Sequence, residues 1–376
     1  MFTRLNKFWY SVATLVASTV GVGLYGIPFT FQKAGFGIGF LFLAGIVLLT
    51  LFKNLLYGEV VLRTQDRHQF IGYTNKYLGR AGRNLHLFTF WVAVYGALIG
   101  IIIITGNFLS NVFSTVSPGT FSTLFVIFAS ILVFAGLKTV AKFDFFMMLL
   151  FAFLVSLIVL LGAHHINFSN FVFTTNNLWF LPFGVILFAM DATPGIPLVR
   201  EVLVGQENKF KRAIILGTII PAIFYLIFTL IVLGVSGEFT SPDSFSGLLN
   251  FLGPSIVTIG SLFGFLTAST IFLNLAIALK ESFQQDFHFK RKWTWILVII
   301  PPYLLFLSGI RNFIDILGLV GGISISIEAI LLIFTYIKAK KNGERIPEYS
   351  VMLPKWCLYL AIAIFSLGAI YTVFVK

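Results

Sequence analysis

Residues 18–29 read STVGVGLYGIPF. They lie inside a long apolar stretch, yet carry glycines at Gly21, Gly23 and Gly26 and a proline at Pro28. Glycine weakens a helix through backbone freedom, and proline by removing a donor and crowding the preceding turn. A segment built to cross a bilayer is therefore interrupted near its middle, and the fold is read outward from that interruption.

Composition supplies the setting. The 376 residues are 58% hydrophobic and 11% charged, with a mean hydropathy of +0.96; soluble domains carry about 25% charged residues. Apolar runs of roughly 20 residues, each enough for a spanning helix, recur about eleven times. They fall at 9–33, 35–62, 84–112, 120–138, 143–163, 178–203, 210–235, 252–280, 293–308, 313–337 and 356–375. The expectation is an all-α, multi-pass membrane protein.

Charge sets the expected orientation. With a cytoplasmic N-terminus, the inside segments hold 22 of the 26 basic residues, and only Lys33, Lys53, Arg311 and Lys376 fall elsewhere. The positive-inside rule then predicts an inner or plasma membrane protein with its N-terminus inside and its C-terminus outside. That bias and the lipid headgroups account for the net charge of +12, so no nucleic-acid partner is implied. The single Cys357 excludes an intramolecular disulfide and a cysteine metal cluster. The first span is too long for a cleaved signal peptide and lacks a small-residue cleavage site. No linker divides the chain, which reads as one domain over 1–376.

A second interruption answers the first. Residues 188–197 read FAMDATPGIP, placing Asp191, Pro194, Gly195 and Pro197 mid-span. Gly26-Ile27-Pro28 returns as Gly195-Ile196-Pro197, 169 positions later. The first break opens a five-helix set over 9–163 and the second opens another over 178–337, with 356–375 as an added helix. Because five is odd, the second set enters from the opposite face, and matching broken helices in inverted halves mark a transporter's binding site. Unwound backbone costs several kcal/mol per polar group against lipid, so it survives only where it faces a cavity. The second half-helix offers N–H donors suited to a carboxylate, and the first offers carbonyls suited to an ammonium or a cation. Either break alone has a simpler reading as a kink or a close-packing site.

The stretch STVGVGLYGIPFTFQKAGFGIGF resembles the first helix of the amino acid/auxin permease family and of the related bacterial aromatic amino acid permeases, both of the amino acid–polyamine–organocation superfamily. FAMDATPGIPLVRE at 188–201 resembles their broken sixth helix. FLTASTIFLNLAIALKESFQQD at 265–286 is similar to their eighth, and FIDILGLVGG at 313–322 to the start of their tenth. The resemblance implies a leucine-transporter type of fold, five plus five inverted helices and an eleventh. It also implies amino acid transport by alternating access, coupled to H⁺ or Na⁺, with no other cofactor. By analogy the substrate carboxylate meets the backbone of Gly21, Val22 and Gly23, and the ammonium meets carbonyls of Phe188, Ala189 and Asp191.

Other residues are weighed one by one. Asp191 pairs the substrate ammonium, carries the coupled proton, or caps the second half-helix near Thr193 or Gly195. Ser269 and Thr270, with the Ala17 and Val20 carbonyls, form the candidate sodium set; Ser and Thr also simply pack helices. Lys53 sits about 14 Å deep at 1.5 Å per residue. It neutralises Glu328, joins a proton relay with it, or snorkels to the interface. Glu59 is expected to be solvated or paired with Arg63, four residues on. Tyr25, Trp91 and Tyr95 are candidate pocket rings. His164-His165 reads as a solvated loop pair, and 64–83 as an amphipathic segment lying against the bundle.

A channel is the rival reading. An enzyme is disfavoured by the absence of HExxH, GxSxG or Walker sequences and of a poised carboxylate pair. A divalent-metal carrier would need an acid where Val22 and Gly23 stand. A nucleobase or polyamine cargo remains as an alternative, although a polyamine would call for more intramembrane carboxylates.

Overall fold

A computed structural model describes residues 4–135, 153, 156, 158, 160–174, 178–287 and 289–374. These are helices joined by short turns, with no strand among the described residues. The first interrupted span is two helices, α1 (Arg4–Thr19) and α2 (Gly23–Ala34), bent by 60°. The second is α6 (Leu181–Ala189) and α7 (Gly195–Val202). Between them run α3 (Phe36–Arg63), α4 (Phe70–Val112) and α5 (Pro118–Ala135). After them come α8 (Phe210–Ser236), α9 (Leu249–Phe287) and α10 (Arg291–Leu307). The tenth expected span is α11 (Phe313–Leu319), a π-helical turn over Val320–Ile325 and α12 (Ser326–Asn342); α13 (Lys355–Phe374) closes the chain. The expected span at 143–163 lies largely outside the described residues.

Seven of these helices are individually long and apolar enough to cross a membrane, and the bent pair α1 and α2 makes an eighth. Their outward faces stay apolar, as Leu48, Phe88, Ile131, Leu304 and Leu367 show, which suits a lipid environment rather than water. Polar side chains such as Thr50, Asn54, Thr105 and Thr218 turn inward.

Close approach between helices rests on small residues. A Cβ on Gly184 would stand 2.1 Å from the Gly318 carbonyl oxygen, and one on Gly321 would stand 1.8 Å from that of Gly184. α6 therefore meets α11 and the π segment backbone to backbone. Leu15 of α1 occupies the space that side chains at Gly195 and Gly217 would fill, wedging α1 against α7 and α8.

The basic end of the bundle is tied together by long-range contacts. The segment expected to lie against the bundle does so, because Phe70, Tyr73, Thr74 and Tyr77 share one helical face. Tyr57 packs on Phe70 and Tyr73 at 5.2 and 5.9 Å, and Thr64 and Tyr77 share a 2.8 Å hydrogen bond. Gly79, at φ 73°, lets α4 turn from this surface stretch into its span. Glu59 pairs with Arg63 at 2.8 Å as expected, but it is fully buried rather than solvated, and it also accepts from Ser350 and the Val351 amide. Arg200 inserts its guanidinium among the last carbonyls of α3, donating to Val61, Thr64 and Gln65 at 2.6, 2.9 and 3.3 Å; a cation there complements the helix C-terminus. Outside the membrane, Lys76 bonds Glu344 at 2.6 Å. This bond from Lys76 is the main cause holding the Glu344 carboxyl below its ordinary range, and it raises the Lys76 ammonium in turn.

Candidate functional site

α1 ends at Thr19 because Val20-Gly21-Val22 leaves the helical path, and α2 begins at Gly23. The amides of Gly21, Val22 and Gly23 thus stand at the open N-terminus of α2. α6 ends at Ala189, and Met190 to Pro194 form the second break. The two breaks touch. A Cβ on Gly23 would stand 2.7 Å from Cα and Cβ of Ala189 and 3.0 Å from the Phe188 ring, so glycine is what allows the two unwound strands to meet.

One hydroxyl joins both breaks. Tyr225 of α8 is fully buried, and its Oη lies 2.9 Å from the Thr19 carbonyl and 2.9 Å from the Ala189 carbonyl. Its single proton is shared between two carbonyls that the first half-helices leave open, and serves one of them at a time. Nothing in the local sequence around Tyr225 marks this role, because it exists only when α8 packs beside both breaks.

The tripeptide repeat needs correction in register. Gly195 is the first residue of α7, whereas Gly26 is the fourth of α2. Aligning the half-helix starts pairs Gly23 with Gly195, 172 positions apart instead of 169. The halves correspond, but the matching tripeptides sit almost a turn out of step.

Asp191 lies beside the breaks, 18% exposed. Its Oδ1 accepts Lys53 Nζ at 2.5 Å, Thr193 Oγ1 at 2.6 Å and the Thr193 amide at 3.4 Å. The capping expectation is met at Thr193, while the Gly195 amide goes instead to the Ala192 carbonyl at 2.9 Å. Lys53 neither snorkels nor pairs with Glu328: it is 2% exposed, held by Asp191 and by Thr193 Oγ1 at 3.0 Å. Among the described residues the bonds to the Asp191 carboxylate fall on Oδ1, which leaves Oδ2 as an open acceptor.

Of the carbonyls expected to take an ammonium, Phe188 accepts the Asp191 amide at 3.3 Å and Ala189 accepts Tyr225. Tyr25 is fully buried beside the site. Its hydroxyl shares a 3.0 Å hydrogen bond with Thr267, and its ring meets Phe108, Phe245 and Phe228 at 5.1 to 6.4 Å. Ser244, at φ 65°, donates to the Tyr25 carbonyl at 2.6 Å, which ties the loop before α9 to α2.

Two other expected pocket rings point elsewhere. Tyr95 donates to the Leu297 carbonyl at 2.6 Å, toward α10. Trp91 packs on Phe283 at 5.0 Å and reaches Ser282, near the far end of α9. The candidate sodium set is not brought together either. Thr267 and Ile271 are the α9 residues that meet Tyr25 and Gly21. Ser269 lies on the face of Phe265 and Phe272, whose rings pack on Phe125 of α5. The Ser269 and Thr270 hydroxyls donate to carbonyls in their own helix at 2.6 and 2.8 Å. Val20 lies at the first break, but Ala17 is exposed on α1. His164 and His165 occupy a single helical turn at Ala163–His165, and the described residues hold no cluster of three metal-ligating side chains.

The tryptophan/tyrosine permease family matches residues 4–372. The chain belongs to this family. Among relatives of the permease, glutamine transporter 2 of Aliivibrio fischeri is 24% identical over 359 residues, covering 91% of this chain and 92% of its own. Tyrosine-specific transport system 1 of Haemophilus influenzae is 25% identical and covers 91% of both chains. System 2 of that organism is 28% identical over 251 residues, covering 62% of this chain and 59% of its own. The crystal structure of MhsT in complex with L-phenylalanine superposes with a TM-score of 0.66 at 13% identity, covering 96% of this chain and 98% of that one. The permease therefore has the leucine-transporter type of fold that its family resemblance implies.

Proposed function

We propose that this permease is a secondary-active transporter of a neutral amino acid, working by alternating access and driven by a coupled cation. The observation that carries the reading is the contact of two broken helices, with one hydroxyl bonded to both breaks. The substrate carboxylate sits on the amides of Gly21, Val22 and Gly23, where α2 presents N–H donors and a partial positive charge, with the Gly21 amide passing from the Tyr225 hydroxyl to the substrate. The ammonium sits on Asp191 Oδ2, whose partner oxygen is already neutralised by Lys53. The ring of Phe188 and the Tyr25 cluster supply apolar surface for the side chain, which favours a large neutral substrate. The names of the relatives, for glutamine and for tyrosine, point the same way. The N-terminus faces the cytoplasm, on the basic end, and placement in the wider amino acid–polyamine–organocation superfamily belongs to the same proposal.

A channel reading finds less support, because inverted broken helices suit a site exposed alternately to each face. The test is uptake of labelled L-tyrosine and L-glutamine into proteoliposomes, with pH and sodium gradients imposed separately. Saturable uptake that is accelerated by unlabelled substrate on the other side supports transport by alternating access. Flux that rises linearly with concentration and shows no such acceleration overturns it in favour of a channel.

A further inference from the structure

The membrane interior holds a second polar group that substrate binding leaves unused. His86 of α4 and Glu328 of α12 are 6% and 7% exposed, and His86 Nδ1 lies 4.0 Å from Glu328 Oε1. His86 Nδ1 is buried without a hydrogen-bond partner, and so is Tyr57 Oη, on which Glu328 acts electrostatically. Native interiors satisfy nearly all their buried polar atoms. Orphaned atoms beside a carboxyl, on two different helices, indicate that something binds among them.

Among the described residues, the charged or titratable groups around this spot come from α3, the second break and both stretches of α4, where Arg83 stands one turn before His86. α3 presents Lys53 and Tyr57, one turn apart on one face. The surface stretch of α4 presents Tyr73, which packs on Tyr57, and Phe70, whose ring meets His86 at 4.5 Å. The second break presents Asp191, which acts electrostatically on His86, Glu328 and Tyr57. Among the described residues, Lys53 is the cation whose charge acts on Glu328, and it is committed to Asp191 at 2.5 Å. That pair is neutral by itself, so Glu328 has no standing countercharge. A single proton supplies what is missing. With it, the dyad holds either a carboxylic acid facing an imidazole acceptor or a carboxylate facing an imidazolium, both neutral overall. Without it, a buried carboxylate faces a neutral ring, which is costly in such a medium.

We propose that the His86–Glu328 dyad is a proton-binding site that fills and empties in the transport cycle. The inference rests on the transporter reading above and adds a place where the coupled proton is held. The proton is taken from water on one side and returned to water on the other, with only an O–H or N–H bond formed and broken. Its link to the substrate site is structural as well as electrostatic. Glu328 sits three residues past the π segment over Val320–Ile325, which Gly321 presses against α6 just before the second break. A π turn inside an α-helix is a common feature of functional sites.

The test is pH-gradient-driven accumulation of a labelled neutral amino acid in proteoliposomes, measured beside counterflow without a gradient. In Glu328→Gln, accumulation is expected to fall to the level seen without a gradient while counterflow persists. In His86→Gln, the midpoint of the pH dependence is expected to move. Accumulation retained by Glu328→Gln overturns the inference, as does wild-type accumulation that follows sodium and ignores pH. If Glu328→Gln loses counterflow too, Glu328→Asp decides: a displaced pH midpoint supports the site, and an unmoved one overturns it. Wild type that shows no counterflow with any amino acid removes the transporter reading itself, a separate failure.

Discussion

The Lys53–Asp191 pair makes the sharpest energetic prediction. Lys53→Met keeps the apolar stem of the side chain and removes its charge, leaving Asp191 without its 2.5 Å partner. Breaking a buried pair by removing one member costs about 3–5 kcal/mol. Asp191 keeps both bonds from Thr193 and is 18% exposed, which argues for the lower end, about 3 kcal/mol, or roughly a hundredfold in the folding equilibrium. Asp191→Asn should cost a similar amount by stranding Lys53, which is 2% exposed. The double variant, Lys53→Met with Asp191→Asn, should then cost less than the sum of the two singles, by a coupling of about 2 kcal/mol. The assay is SDS titration in mixed micelles, followed through the fluorescence of the six tryptophans. Substrate binding should be lost in both Asp191 variants even where stability returns. A cost below about 1 kcal/mol for Lys53→Met, or singles that add to within about 0.5 kcal/mol of the double, would refute the argument.

Three further outcomes follow from the geometry. Tyr225→Phe removes one hydroxyl and strands the Thr19 and Ala189 carbonyls, so it should cost about 1–3 kcal/mol in the same titration and weaken substrate binding; an unchanged midpoint would show that the hydroxyl does not join the breaks. Gly23→Ala places a Cβ 2.7 Å from Ala189, so transport should collapse, whereas Gly45→Ala, which meets nothing within 4 Å, should behave as wild type in uptake. The Lys76–Glu344 contact has a defined pH window. The lowered Glu344 pKa makes its contribution complete above the ordinary glutamate value of about 4.3 and lost as pH falls through the lower folded value. The raised Lys76 pKa makes its contribution complete below about 10.4 and lost as pH rises through the higher folded value. Hydrogen exchange at the Glu344 and Arg345 amides, both bonded to the Arg63 carbonyl, should accelerate beyond intrinsic rates on the acid side of that window.

What the sequence made legible was local. Glycine and proline act within their own turn, so both breaks could be placed before any packing was known. The Glu59–Arg63 pair follows from four-residue spacing, and the amphipathic face at Phe70, Tyr73 and Tyr77 from helical periodicity. The rest depends on how helices rotate against one another. Lys53 meets Asp191 across 138 positions and Tyr225 meets Thr19 across 206, and no short-range pattern reports either contact. The same rotation turns Tyr95 and Trp91 away from the breaks and puts Thr267 and Ile271, rather than Ser269, beside the first one. His86 was overlooked because it lies only three residues past Arg83, where a solvated end of a span is the simpler reading. Its burial arises from the packing of α12 and the α4 surface stretch around it.

The central claim is that an amino acid binds between the two breaks. The most direct measurement is an experimental structure of the protein with a neutral amino acid bound. The account predicts the carboxylate within hydrogen-bond reach of the Gly21, Val22 and Gly23 amides and the ammonium at Asp191 Oδ2. A ligand found instead in the 650 Å³ pocket lined by Gln32, Asn167 and Glu238, with the breaks unoccupied, would contradict it.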